Sequence, residues 1–124
     1  MRTFFAVVVL AFGLHSESAI AAELFTPPLG VPPGGRFVCR IVNTSSMDRQ
    51  VKIEMKDGTG AIVNQSGEFS LPATQVSLGI ATIVPTGGVV NLYCRFAVKG
   101  PKTSVRGIGA TTTASGDQIV LAAQ

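Results

Sequence analysis

The sequence predicts a small all-β domain built from antiparallel strands. The chain has 124 residues, of which 46% are hydrophobic and 14% are charged, and this composition is typical of a globular protein. Its apolar residues fall in short runs that Gly, Pro, Asn and Asp interrupt every eight to twelve positions or so, whereas no long segment has helical periodicity. This pattern favours a β-sandwich or a small barrel.

Residues 1–21 have the pattern of a cleaved signal peptide. Arg2 supplies a positive start, and Phe4–Leu14 is an unbroken apolar run, too short for the roughly 20 residues that span a bilayer. Ala19-Ile20-Ala21 matches the small-x-small pattern read by signal peptidase. We therefore predict cleavage after Ala21, with an uncleaved anchor as the alternative. Residues 22–124 would then be one exported domain, periplasmic or extracellular, with no transmembrane segment.

Cys39 and Cys94 are the only cysteines. In an exported protein an even pair is typically oxidised, so we predict one intrachain disulfide. This disulfide would close a loop of 55 residue steps, which stabilises the folded state by about 4 kcal/mol in the chain-entropy model. Two free thiols and an intermolecular bridge are the alternatives.

The strand with the clearest pattern covers Gln50 to Asp57, where apolar and polar residues alternate with the period of a strand that has one wet face. The residues Asp57-Gly58-Thr59-Gly60 are typical of a β-hairpin turn, and Ala61–Asn64 is predicted to be the second strand of this hairpin. In Arg36–Val42, Cys39 faces inward and the arginines face outward; in Val89–Val98, Cys94 faces inward. The remaining predicted strands are Glu23–Thr26, at an edge before the Pro-rich Pro27–Gly35, and Gln75–Val84, Ser104–Thr112 and Gln118–Ala122.

Two strand cysteines about fifty-five residues apart, bridging about seven short strands, resemble an immunoglobulin-like β-sandwich. The resemblance places Cys39 on the second strand and Cys94 on the sixth. It also implies that Val89–Val98 lies between Gln50–Asp57 and Ser104–Ala110. The stretch from Cys39 to Ser45, followed by Val51–Met55, is similar to short exported bacterial proteins of unassigned function.

The sequence offers little for catalysis. Residues 22–124 contain no histidine, so they can form neither a Ser-His-Asp nor a Cys-His arrangement. Zinc is disfavoured for the same reason. We predict no enzyme and no cofactor; a hydrolase using carboxylates is an alternative, although none of the acids has a suggestive partner. Gly107-Ile108-Gly109 is interpreted as a bend or bulge, and the triplets Asn43–Ser45 and Asn64–Ser66 as turns rather than glycosylation sites.

A basic sheet face is the candidate binding site. The immunoglobulin-like arrangement would bring the following residues to one outer surface: Lys52, Lys56, Tyr93, Arg95, Lys99 and Arg106, with Glu54 among them. Such a face attracts anionic partners by long-range electrostatics, although a merely solvated face is the simpler interpretation. A net charge of +3 is modest for nucleic acid, which we do not expect as a partner.

These observations predict a non-enzymatic exported binding or structural module of the cell envelope. Its partner would be an anionic envelope component or another exported protein. The alternative function is a small secreted inhibitor or effector that acts on a partner protein through its loops. The loops concerned are Asn43–Arg49 and Pro27–Gly35.

Overall fold

The computed structural model describes residues 21–77, 79–84, 87–113 and 115–124. Residues 1–20 of the predicted leader lie outside this range. The described residues form an all-β structure with a single 3-10 turn at Lys102–Ser104 and no α-helix. The nine strands are β1 (Ala21–Phe25), β2 (Leu29–Val31), β3 (Arg36–Asn43), β4 (Arg49–Asp57), β5 (Ile62–Leu71), β6 (Ile80–Ile83), β7 (Val90–Lys99), β8 (Val105–Thr112) and β9 (Gln118–Ala122).

The strands form two antiparallel sheets. Sheet I has the order β1-β7-β4-β5, with β2 also paired to β7, and sheet II has the order β6-β3-β8-β9. The predicted pairing of the strand at Gln50–Asp57 with that at Val89–Val98 is confirmed, because β4 pairs with β7 along its length. The predicted place of Ser104–Ala110 beside Val89–Val98 is wrong, since β8 pairs with β3 in sheet II and β1 lies against β7 instead.

The connection between β7 and β8 explains this difference. Gly100 has a φ of 134°, a value that L side chains rarely adopt, and the 3-10 turn follows it directly. The turn is fixed to the other sheet, because the backbone N–H of Thr44, next to β3, donates to the carbonyl of Ser104 at 3.0 Å. The chain therefore crosses from sheet I to sheet II instead of turning back as a hairpin.

The disulfide joins the two sheets at the centre of their shared core. Cys39 on β3 and Cys94 on β7 are bonded, with their Cα atoms 5.8 Å apart and both residues fully buried. The intrachain disulfide predicted from the sequence is thus confirmed. The largest fully buried apolar side chains of the core come from both sheets: Val31, Phe37, Ile41, Val51, Ile53, Met55, Leu92, Phe96 and Val98.

The described residues contain nine strands, more than the seven or so predicted, because short strands form where the sequence pattern is weak. One of these is β2, which lies inside the Pro-rich stretch. In addition, β5 is longer than predicted and continues well beyond Ala61–Asn64. In contrast, the turn at Asp57–Gly60 is confirmed. The Asp57 carboxylate Oδ1 accepts hydrogen bonds from the backbone N–H groups of Thr59 and Ala61 at 2.9 and 3.1 Å.

Gly107 and Gly109 do not form the bend or bulge predicted for them. β8 runs in continuous register with β3 from Val105 to Thr112. Both glycines face the core, where a Cβ on Gly107 would come within 2.4 Å of the Phe96 ring and one on Gly109 within 3.1 Å of Cys94 Sγ. The glycines therefore let β8 pack directly over β7, which brings the two sheets together around the disulfide.

Candidate functional site

The structure divides the predicted basic face between the two sheets. Lys52, Lys56, Tyr93, Arg95 and Lys99 occupy outward positions of β4 and β7 and share the outer surface of sheet I. Arg106 is exposed on β8 and belongs to the outer surface of sheet II. The prediction that Arg106 joins the other five is therefore wrong, because β8 crossed to the opposite sheet.

Carboxylates neutralise most of the charge on the outer surface of sheet I. Arg95 binds Glu54 at 3.0 Å and also contacts Glu23, while Lys52 Nζ lies 3.1 Å from Glu54. Lys99 pairs with Glu68 at 2.7 Å. The prediction of one acid on this surface was wrong, since β1 and β5 flank β7 and β4 and contribute two more. We call this surface the paired face: Glu23, Lys52, Glu54, Lys56, Glu68, Tyr93, Arg95 and Lys99.

Glu54 is the least exposed of these charged groups, with 8% of its side chain accessible. Its burial raises the pKa of the carboxyl group, but hydrogen bonds from Lys52 and Arg95 and their positive charges outweigh this effect. The pKa of Glu54 therefore falls below its ordinary value. Burial also disfavours the charged form of Arg95 and so lowers its pKa, but the hydrogen bonds to Glu23 and Glu54 have a larger, opposite effect. The pKa of Arg95 therefore lies above its ordinary value. Both groups stay ionised at neutral pH.

The outer surface of sheet II has a different composition. Its positively charged residues are Arg36 and Arg40 on β3 and Arg106 on β8, and all three are exposed. None of the described outward positions of β3, β6, β8 and β9 carries an acid. Among described residues, no carboxylate oxygen lies within 4.0 Å of these three guanidinium groups. We call this surface the arginine face.

Aliphatic side chains lie between the arginines. The register places Ile108 beside Arg40 and Ala110 beside Val38, and Val120 on β9 lies beside Ala110. These residues line a shallow hollow of about 190 Å³. Its full lining is Arg36, Val38, Arg40, Ile108, Ala110, Thr112, Gln118 and Val120.

The spacing of the arginines fits an extended anionic ligand. Arg36 and Arg40 are four residues apart on one strand, which separates their Cα atoms by about 13 Å. Arg106 lies one strand away, opposite Val42, so its Cα is about 8 Å from that of Arg40 by the same strand geometry. A guanidinium group offers planar, bidentate hydrogen bonding to carboxylate, phosphate or sulfate. The arginine face thus has three anion-binding groups, of which Arg36 and Arg40 line the hollow and Arg106 lies outside it.

Sequence reasoning placed Arg36 and Arg40 on the outward side of their strand but did not include them in a site. The strands themselves carry a partial signal. The sequences of β3, β8 and β9 contain no acid, whereas β1, β4 and β5 each contain a glutamate; β7, which carries Arg95 of the paired face, also contains no acid. What the sequence alone did not give was that β3, β8 and β9 are neighbours in one sheet.

The two asparagine triplets have structural roles. The Asn43 side chain is fully buried, and its Nδ2 donates to the carbonyl oxygens of Met47 and Leu71 at 2.7 and 3.0 Å. Its Oδ1 accepts from the backbone N–H of Ser45 at 3.0 Å. Asn64 Nδ2 donates to the carbonyl of Ala81 at 3.0 Å. The prediction of a turn at Asn43–Ser45 is confirmed, because the Asn43 amide holds the loop that follows β3. The prediction of a turn at Asn64–Ser66 is wrong, because these residues lie within β5 and pair with β4.

The described residues contain no group of three His, Cys, Asp or Glu side chains arranged to hold a metal ion. Both cysteines are consumed by the disulfide. In the described part of the chain, no helix has the length and apolar character needed to cross a membrane.

Comparison with known proteins supports the fold alone. No family model matches the chain, and no curated protein matches it in sequence. The crystal structure of Thermotoga maritima 1070 is similar to it with a TM-score of 0.54 and 11% sequence identity. The aligned region covers 84% of this chain and 93% of that one.

Proposed function

We propose that this chain is a non-enzymatic, exported β-sandwich module that binds an extended anionic polymer on its arginine face. The polymer would carry sulfate, phosphate or carboxylate groups, as anionic polymers of a cell envelope do. The observation that carries the proposal is that, within the described part of the chain, no carboxylate neutralises Arg36, Arg40 or Arg106. On the paired face, by contrast, three of the four cations already have carboxylate partners.

Export is the second part of the proposal, and two features support it. The predicted leader at residues 1–21 has the three-part pattern of a signal peptide, and disulfides persist mainly in oxidising compartments. We further propose that the sandwich is an immunoglobulin-like variant. The disulfide between facing sheets supports this relation, while the pairing of β8 with β3 would be its distinguishing feature.

A matched pair of double variants tests the binding site. Arg36→Gln with Arg40→Gln removes two charges from the arginine face, and Lys52→Gln with Lys99→Gln removes two from the paired face. Binding to heparin is measured against salt, with uncharged dextran as the control ligand. We expect the arginine pair to weaken heparin binding at least about tenfold, and the lysine pair to change it less than about threefold, because local charge acts within a Debye length of about 10 Å.

Three outcomes would contradict this site. Equal losses in the two double variants would mean that heparin responds only to net charge. Unchanged binding in the arginine pair would exclude Arg36 and Arg40 from the site. Equal binding of dextran would exclude charge recognition altogether.

One observation favours the loop-based inhibitor or effector as a second candidate. The side chain of Asn43 bonds to the backbone of Ser45 and Met47 in the loop of residues 44–48, and the Met47 residue is 62% exposed. A held loop with an exposed methionine suits insertion into a partner's apolar pocket. Met47→Asp would abolish binding to such a partner protein and leave heparin binding unchanged.

A further inference from the structure

Most strand edges of the two sheets are protected against pairing with another chain. The backbone of Phe25 on β1 exchanges two hydrogen bonds of 3.0 Å with Gln124, and β2 is only three residues long. The Asn64 side chain donates to the Ala81 carbonyl on β6. β5 has two register shifts against β4 and carries the charge of Glu68. Covered backbone, bulges, short strands and charge are the usual protections of an edge.

The edge at β9 has none of these protections along Gln118–Ala122; in the described part of the chain, backbone pairing covers this edge only beyond the strand, at Gln124, which bonds to Phe25. Its sequence, Gln-Ile-Val-Leu-Ala, contains neither a charge nor a proline. Its register with β8 is continuous from Gln118 to Ala122, so no bulge turns it away. Ile119 is 47% exposed and Val120 is 55% exposed. A neutral, apolar and regular edge of this kind is a template for strand addition.

The hydrogen-bond pattern shows which backbone groups are available. Ala123 N–H donates to the Gly107 carbonyl, and Thr113 N–H donates to the Asp117 carbonyl, both at 2.9 Å. Hydrogen-bonded pairs alternate along an antiparallel ladder, so the odd-numbered residues of β9 bond to β8. The N–H and C=O groups of Gln118, Val120 and Ala122 therefore point away from the sheet. These six groups have no hydrogen-bond partner among the described residues.

We propose that two copies of this chain associate through β9, paired antiparallel about a two-fold axis at Val120. In this register Val120 lies opposite the partner's Val120. On the core side, Ile119 lies beside the partner's Leu121. The six outward backbone groups of each strand bond to their equivalents, and both exposed aliphatic residues become covered. Sheet II thereby continues into an eight-stranded sheet.

A second copy fits this edge better than a foreign strand does. β9 carries no charge with which to select an acidic or a basic partner, whereas a two-fold arrangement matches its apolar residues to each other. None of the three arginines of sheet II lies on β9, so like charges do not meet at the seam. Because the other edges are protected, association stops at two copies. A five-residue pairing buries less than the roughly 1,200 Å² of a standard interface, so the dimer should depend on concentration.

Amide hydrogen exchange of the purified protein tests the pairing residue by residue. As the protein concentration rises, we expect exchange to slow at Gln118, Val120 and Ala122, in step with a doubling of mass by sedimentation. Ile119 and Leu121 should be protected at every concentration, because they bond to β8. A mass of one chain at the highest concentration, or slowing without this alternation, would overturn the proposal.

Charge swapping tests the register. Val120→Lys and Val120→Glu should each weaken self-association at least about tenfold, because the two-fold axis places identical charges opposite each other. An equimolar mixture of the two variants should associate at least as well as the original chain. Val63→Lys, on the protected strand β5, is the matched control and should leave association unchanged. Unchanged self-association of Val120→Lys, or a mixture no stronger than its components, would contradict pairing at Val120.

Discussion

The two outer faces of this protein carry similar numbers of cations but use them differently. On the paired face, Arg95 is held between Glu23 and Glu54, and the side chains stabilise their own sheet. On the arginine face, three guanidinium groups project from strands without acids. From the number of positive charges alone, the paired face would be the better binding site for an anionic ligand. The positions of the carboxylates reverse this expectation, because a cation that already has a carboxylate partner is less available to a ligand.

Both faces depend on the contact between the sheets, so separating the sheets should have the largest effect on both. Replacing Cys39 and Cys94 with alanine removes the link across a loop of 55 residues. We expect the free energy of unfolding to fall by about 4 kcal/mol, measured by urea titration. Reduction of the original protein should produce a similar loss. An unchanged urea midpoint after reduction would mean that core packing alone joins the sheets.

A smaller disturbance of the same contact is Gly107→Ala. Its methyl group would come within 2.4 Å of the Phe96 ring, so one sheet must move or the ring must turn. Overpacking of this kind costs about 1–3 kcal/mol. Ala110→Gly, on the solvent side of the same strand, is the control, because it changes the number of glycines in β8 without adding volume to the core. It should lower the free energy of unfolding by about 1 kcal/mol or less. If Gly107→Ala is no less stable than the original chain, the packing of β8 over β7 is looser than described.

The difference between the faces is sharpened by one matched pair, Arg95→Met and Arg36→Met. Arg95→Met leaves the largely buried Glu54 with Lys52 as its remaining cation, and should cost about 1–2 kcal/mol of stability. Arg36 is exposed and has no carboxylate partner among the described residues, so its replacement should stay within about 0.5 kcal/mol. Thermal unfolding compares the two variants. Equal losses would show that the ion pairs do not distinguish the faces.

The smallest expected effect is the pH dependence of the paired face. Folding lowers the pKa of Glu54, so its stabilising contribution is complete above the ordinary pKa of about 4.3 and is lost as pH falls through the lower folded value. Glu54→Gln should therefore cost about 1 kcal/mol at pH near 7 and almost nothing well below the folded pKa. Urea midpoints at neutral and acidic pH measure this. A stability gap that widens on acidification would contradict the lowered pKa.

Local patterns in the sequence were enough to locate most of the strands. Alternation placed the ends of β3, β4 and β7 to within one residue, since each strand has one wet and one buried face. It also gave the inward orientation of Cys39 and Cys94, because a side-chain period of two fixes every orientation once one position is known. The weakly patterned segments were harder. β2 was missed within its prolines, and β5 extends through polar residues that carry little periodic signal.

What the sequence determined by itself was the chemistry available: one disulfide pair, alternating strands, and arginines on strands that contain no acid. Only the tertiary structure decided which strands are neighbours, and hence which cations meet carboxylates. Gly100 and the turn after it sent β8 across to sheet II, which took Arg106 away from the predicted face and placed it near Arg40. The physical reason is that strand pairing depends on contacts between residues far apart in the chain. Alternation along a single strand gives the direction of its side chains but leaves its neighbours undefined.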